Sequence, residues 1–142
     1  MEKSWSAKDM PRLDGKIALV TGANRGLGFY TSLELARAGA QVIMAVRDRV
    51  GGGAALREIL AAVPAAKLTV EELDLASLGS VRAFGARAAG TYSHLDILLN
   101  NAAVMTIATR ELTVDGFERQ MGTNHLGHFA LTGVLLDRKS VV

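Results

Sequence analysis

Ile17-Ala18-Leu19-Val20-Thr21-Gly22-Ala23-Asn24-Arg25-Gly26-Leu27-Gly28-Phe29 is the stretch that decides how this chain folds. An apolar run stops at a threonine, three glycines follow with the spacing Gly-x3-Gly-x-Gly, and a helix-like stretch from Phe29 to Gly39 begins at once. Strand, glycine turn and helix in that order form the arrangement that binds a dinucleotide pyrophosphate. Glycine lets the backbone turn tightly and come close to phosphate with no Cβ in the way. The N-terminus of the following helix offers unpaired N–H groups and a partial positive charge to the same anion. Thr21, Gly22, Asn24, Arg25, Gly26, Leu27 and Gly28 are therefore the first candidate binding residues. A tight turn with no ligand is the competing reading of the same glycines.

Working outward, apolar and helical segments alternate. Residues 1–15 read as a polar lead-in broken by Pro11 and Gly15. Strands are expected at Lys16–Thr21, Gln41–Val46, Leu68–Leu73 and Leu95–Asn100. Helices are expected at Gly26–Gly39, with Phe29, Leu33, Leu35 and Ala36 on its apolar face, at Gly51–Val63 before Pro64, at Ser77–Ala89 and at Asp115–Leu136. Four strands apolar on both faces and separated by helices imply a parallel sheet covered on both sides. Right-handed crossovers then give the strand order 3-2-1-4. The fold class is α/β, a Rossmann-type doubly wound sheet that is incomplete at about four strands. Residues 16–136 form this partial nucleotide-binding domain, and 137–142 form an atypical tail.

The bulk composition narrows the partners. A chain of 142 residues makes one ordinary domain, and at 49% hydrophobic it has the side chains for a core. A formal net charge of +2 is too small and too evenly spread for a nucleic-acid binder, despite a pI near 9.2. There is no cysteine, which excludes disulfides and thiolate metal sites. The lead-in carries Glu2, Lys3, Lys8, Asp9 and Arg12 and has no apolar centre, so it does not read as a secretory signal. No apolar stretch reaches the roughly 18 residues of a membrane span. A cytoplasmic protein is expected.

Three further motifs join the glycine loop. Asp74-Leu75 follows the third strand, Asn100-Asn101-Ala102-Ala103 follows the fourth, and Asn124-His125-Leu126-Gly127-His128-Phe129 lies on the last helix. Together, in this order, they resemble the short-chain dehydrogenase/reductase family, and are nearest in wording to its branch of retinol dehydrogenases and protochlorophyllide reductases. Ala103 stands where that family's Asn-Asn-Ala-Gly motif has its glycine. The resemblance implies hydride transfer between a nicotinamide and a carbonyl or alcohol carbon of a small molecule. It also implies a homo-oligomer when the enzyme is complete. It makes Asn124 the catalytic asparagine that bends its helix and holds a proton-relay water, although a helix-interior asparagine bonded to backbone describes the same position. It places Asp74 and Leu75 near the adenine, and Asn101, Ala102 and Ala103 near the adenosine ribose. Asp74 also fits a plain strand-end cap, and the two asparagines fit hydrogen bonds to backbone across the sheet.

The cofactor is read from the end of the second strand. An acid there would accept from the ribose 2′-hydroxyl and repel a 2′-phosphate. This chain has Val46 and then Arg47, which can pair bidentately with phosphate, and Arg25 approaches from the glycine loop. NADP is therefore expected ahead of NAD, with a solvated Arg47 as the alternative. His125 and His128 lie one turn apart, but no Glu stands between them and no third ligand is suggested, so no metal is expected.

The family's chemistry also needs a serine and a Tyr-x-x-x-Lys. Tyr30 and Tyr92, the two tyrosines present, are followed four residues later by Glu34 and Asp96, and Ser140 comes too close to the end. The chain is accordingly expected to be an N-terminal fragment without turnover. The tail Asp137-Arg138-Lys139-Ser140-Val141-Val142 is expected to be foreign or frameshifted sequence, or else a divergent natural end. Such a fragment leaves the fourth strand as an open edge and exposes Leu126, Phe129, Leu131 and Leu135, so poor solubility is expected. Two other readings remain: a non-catalytic dinucleotide-binding half-domain that senses or interacts, and an α/β domain for another phosphate ligand.

Overall fold

The computed structural model describes residues 4–136, so the tail reading falls outside the described residues. Its elements are β1 (Ile17–Thr21), α1 (Gly26–Arg37), β2 (Gln41–Val46), α2 (Arg49–Ala62), β3 (Lys67–Glu72), α3 (Leu78–Thr91) and β4 (Ile97–Leu99). After a loop, a π-helical turn (Met121–Leu126) runs directly into α4 (Gly127–Leu136). Every strand pair is parallel, and the order is β3-β2-β1-β4, as the alternation of segments requires.

The two-residue period of the central strands divides the core. Ala18 and Val20 of β1 and Val42, Met44 and Val46 of β2 share one cluster with Phe29 and Leu35 of α1 and Ile59 of α2. Ile17, Leu19, Ile43 and Ala45 point the other way, into a cluster with Val81 and Phe84 of α3 and Leu131 and Leu135 of α4. All five residues of β1 are buried. Each buried aliphatic side chain is worth about 1.5–3 kcal/mol, so these two strands anchor both layers.

Local chemistry sets the helix ends. α1 stops at Arg37 and Gly39 closes it with φ 100°. The N–H of Ala40 reaches the Leu35 carbonyl at 3.1 Å and that of Gly39 reaches Ala36 at 3.0 Å, the paired bonds of a Schellman ending. α2 starts two residues before the expected Gly51, because the Asp48 carboxylate accepts from the Val50 N–H at 3.0 Å and caps it. The glycine triplet that weakens this helix on paper lets it lie close to the sheet. A Cβ on Gly52 would come within 2.7 Å of a Val46 methyl and 2.8 Å of a Val70 methyl.

Several expectations need correction. The outer strands are not buried on both faces: β3 and the three-residue β4 are half-buried, because each is an edge. The last helix does not begin at Asp115. Thr113–Gly116 is a turn with Gly116 at φ 84°, and Leu112 and Glu118 form an antiparallel bridge. Helix starts at Arg119, where the Glu118 carboxylate accepts from the N–H groups of Gln120 at 2.9 Å and Met121 at 2.8 Å. Those bonds hold the Glu118 carboxyl below its ordinary pKa. Asp115 instead accepts from the Leu78 N–H at 2.8 Å, at the start of α3. Of the four residues expected to be exposed on the last helix, only Phe129 is, at 74%. Leu131 and Leu135 are buried against α3 and the sheet, and Leu126 is half-buried.

At the amino ends of the strands, Asp96 pins β1. Its carboxylate accepts from the Ile17 N–H at 2.8 Å and pairs with Lys16 and His94, each at 3.0 Å. The backbone hydrogen bond, with Lys16 in support, holds its pKa below the usual carboxylate value.

Candidate functional site

Thr21, Arg47, Asp74 and Asn100 each lie at or just beyond the carboxyl end of a different strand. In a doubly wound sheet the ligand crevice opens at that edge, where the chain reverses its direction of travel across the sheet. Here that point lies between β1 and β4, the first strand laid down on the far side of β1.

The glycine loop supplies the floor of the crevice. Gly22 and Gly26 have φ of 66° and 57°, in the left-handed region that favours glycine. A Cβ on Gly22 would meet the Ala102 Cα at 2.9 Å, and one on Gly28 would collide with the Gly22 carbonyl and the Asn101 amide. A Cβ on Gly26 would meet nothing within 4 Å, so open space lies above the turn. The residue before α1, Arg25, gives no side-chain cap to the helix. Arg25, Gly26 and Leu27 are exposed, and Asn24 is half-buried.

Arg47 is exposed at the end of β2. Neither Arg47 nor Arg25 forms an ion pair among the described residues. Asp48, next to Arg47, is committed to capping α2, and the start of that helix lies against the glycine loop: a Cβ on Gly51 would come 3.3 Å from the Asn24 amide. The Asp74 carboxylate accepts from the Ala76 N–H at 2.9 Å, a local turn that holds one of its oxygens. Leu75 turns its side chain into the core, and its carbonyl packs where a Cβ on Gly127 would stand.

The wall beside the glycine loop is built by backbone. The Thr21 hydroxyl oxygen accepts from the N–H groups of Asn101 at 2.9 Å and Ala102 at 3.0 Å. The Asn101 amide donates to the Thr21 carbonyl at 2.9 Å. This is the cross-sheet bonding that the sequence left open for the asparagines. Asn100 instead donates to the Thr132 hydroxyl on α4 at 3.3 Å. Ala103 is exposed beyond them.

Asn124 sits in the π-helical turn. Its side chain binds the backbone of Val104 twice, accepting from the N–H and donating to the carbonyl, both at 2.8 Å. It therefore fastens the loop after β4, not its own helix. Asn100, Asn124, His128 and Phe129 are among the residues around an open cleft of about 500 Å³ beside the β4 edge. Neither tyrosine lines it. Tyr30 is exposed on α1, edge-on to Phe29, and Tyr92 ends α3, where burial pushes its phenol pKa up.

His128 is the residue the sequence reading weighed only as a metal ligand. It is buried and bonded at both ring nitrogens, to Thr21 and to the Asn124 carbonyl. No local sequence signal marks it, since its partner Thr21 lies 107 residues earlier. His125 is exposed and stacks on Phe129. Among the described residues no three His, Asp or Glu side chains come together as a metal site would need.

Known proteins share this sequence pattern and fold. A family model described as short chain dehydrogenase matches residues 16–139. The chain belongs to this family. Among curated relatives it is 46% identical over 127 residues to mouse retinol dehydrogenase 11, covering 89% of this chain and 40% of that protein. It is 47% identical over 126 residues to human retinol dehydrogenase 13, covering 89% and 38%. The chain thus spans about two fifths of the length of these short-chain dehydrogenases. Among solved structures, an uncharacterized protein from Mycobacterium paratuberculosis superimposes with a TM-score of 0.84 at 51% identity, over 96% of this chain and 47% of that one. A metagenomic short-chain oxidoreductase solved in complex with NADP gives a TM-score of 0.76 at 27% identity, over 88% and 57%. No described helix is long and apolar enough to cross a membrane.

Proposed function

We propose that this chain is the nucleotide-binding part of an NADP(H)-dependent oxidoreductase. The observation that carries the reading is the open, uncapped start of α1 above Gly26, with Arg25 and Arg47 free of ion pairs among the described residues. The donor set fits a dinucleotide: N–H groups at a helix start for the pyrophosphate, and two guanidinium groups for a 2′-phosphate. Asp74 keeps one carboxylate oxygen outside its local turn for the adenine, while Asn101, Ala102 and Ala103 stand on the ribose side. Leu75 contributes only backbone, since its side chain is in the core.

When bound, NADP(H) would supply or take the hydride. This chain's residues would bind and orient it, and Asn124 would hold the loop after β4 through the Val104 backbone. Alcohol and aldehyde substrates of the retinol class are the first to test for the whole enzyme, given the names of the relatives. The 142 residues contain no Tyr-x-x-x-Lys.

Titration of the chain with NADPH and NADH tests the reading. A charge-assisted hydrogen bond is worth about 1.5–3 kcal/mol, so two arginines on one phosphate give a preference for NADPH of about tenfold or more. Arg47→Ala should remove most of that preference and leave NADH binding unchanged. Equal affinity for the two nucleotides, or an unchanged preference in Arg47→Ala, overturns the assignment.

A further inference from the structure

The geometry points to His128 as a positioning residue for the dinucleotide: its ring fixes the direction of the Thr21 hydroxyl, and through it the Asn101–Ala102 wall of the glycine loop. The inference rests on the dinucleotide reading above.

The hydrogen-bond inventory of the ring leaves one consistent arrangement. Nδ1 lies 2.9 Å from the Asn124 backbone carbonyl, which can only accept, so Nδ1 carries the proton. Burial pushes the imidazole pKa below its ordinary value, which favours the neutral ring. A neutral ring protonated at Nδ1 has a bare Nε2, and Nε2 lies 2.8 Å from the Thr21 hydroxyl oxygen. Thr21 must therefore donate to it.

That donation settles the rest. The Thr21 hydroxyl has one proton and two lone pairs. With the proton directed at His128, both lone pairs face the N–H groups of Asn101 and Ala102, at 2.9 and 3.0 Å. The competing acceptor for the proton, the Leu99 carbonyl, is farther away at 3.3 Å. A ring protonated at Nε2 would present a third donor to an oxygen that already accepts two, and one N–H of the wall would lose its partner. The wall matters to the ligand because Ala102 stands 2.9 Å from where a Gly22 Cβ would be, and the Asn101 amide stands 2.5 Å from where a Gly28 Cβ would be.

The surroundings carry no competing charge. On its own helix His128 is followed by Thr132, whose hydroxyl donates to the His128 carbonyl at 2.8 Å. His125, exposed on the preceding turn, is the nearest titratable group along the chain. No ion pair involves His128 among the described residues.

Two measurements on the 142-residue chain test this. The first is a long-range ¹H–¹⁵N spectrum of the imidazoles in the unaltered chain, with His128→Phe identifying the signal. A protonated Nδ1 and bare Nε2 are expected, and a protonated Nε2 overturns the inference whether or not any variant folds. The second is a double-mutant cycle on NADPH binding. His128→Phe and Thr21→Val should each weaken binding about tenfold, and the double variant should be no weaker than Thr21→Val alone, because His128 acts through the hydroxyl. Thr21→Ser, which keeps the hydroxyl, should bind as the parent does. Additive losses overturn the inference and leave His128 as a packing residue. An unaltered chain that shows the expected tautomer but binds no NADPH overturns the dinucleotide reading instead.

Discussion

The α1–α2 side of the sheet and the α3–α4 side are built from the same two central strands, yet they are finished differently. On the first side, helix ends are capped by local devices, Gly39 for α1 and Asp48 for α2, and a glycine lets α2 close on the sheet. On the second, α4 is mostly apolar, with His128 and Thr132 as its polar side chains. It buries Leu131 and Leu135 while leaving Phe129 and Leu136 exposed, and it lies beside a three-residue edge strand. The candidate crevice opens between these two halves. One side supplies the glycine loop from neighbouring residues, and the other supplies the wall from residues about eighty positions away.

The sharpest way to break this comparison is to cut one matched side chain from each side. Ile59 in α2 and Leu131 in α4 are both fully buried. Ile59→Ala and Leu131→Ala should each cost about 2–5 kcal/mol, read from denaturant midpoints. A cost below about 1 kcal/mol for Leu131→Ala alone would show that α4 is only loosely attached to the sheet.

A smaller contrast separates two helical glycines. Gly28→Ala places a methyl against the Gly22 carbonyl and the Asn101 amide, which should cost about 1–3 kcal/mol and abolish nucleotide binding. Gly133→Ala, with nothing within 4 Å of its new methyl, should stabilise α4 by about 0.5–1 kcal/mol. Thermal midpoints of the two variants check both signs.

Acid should act on the molecule in two stages. Burial lowers the folded pKa of His128 below 6.5, so the unfolded chain takes up that proton at the higher pH. Stability from this group is complete above about pH 6.5 and is lost as pH falls through the lower folded value. Asp96 and Glu118, whose pKa values are lowered by backbone N–H donors, add a second loss only as pH falls below their ordinary values of 3.8 and 4.5. A plot of thermal midpoint against pH should show both declines, and His128→Phe should remove only the first.

The parts of the molecule legible in the sequence are those whose cause is local. Ile17 to Gly28 carries strand, turn and helix within a dozen residues, and the strand order followed from the alternation of apolar and helical segments. Other features depended on partners distant in the chain. Asp115 was expected to start the last helix, but its carboxylate belongs to the first turn of α3. Leu131 and Leu135 were expected to be exposed because the chain reads as a fragment, yet Val81 and Phe84 of α3, a helix the periodicity did place, already cover them. Asn124 was readable as a special residue, while its partner, the Val104 backbone, was not. His128 had no local signature at all, since its meaning comes from a hydroxyl 107 residues earlier.

That long reach has a consequence during synthesis. The strand β1, the glycine turn and α1 follow one another within residues 17–37, and β2 can pair with β1 soon afterwards. The contacts that join Thr21 to Asn101 and to His128 span 80 and 107 residues, and each must close a loop of that size before it forms. At about 5–20 residues per second, a nascent chain carries its glycine turn for several seconds before the facing wall has been translated. If the chain binds NADP(H) as proposed, the nucleotide is a late stabiliser of this fold, able to trap the native state only once that wall has formed.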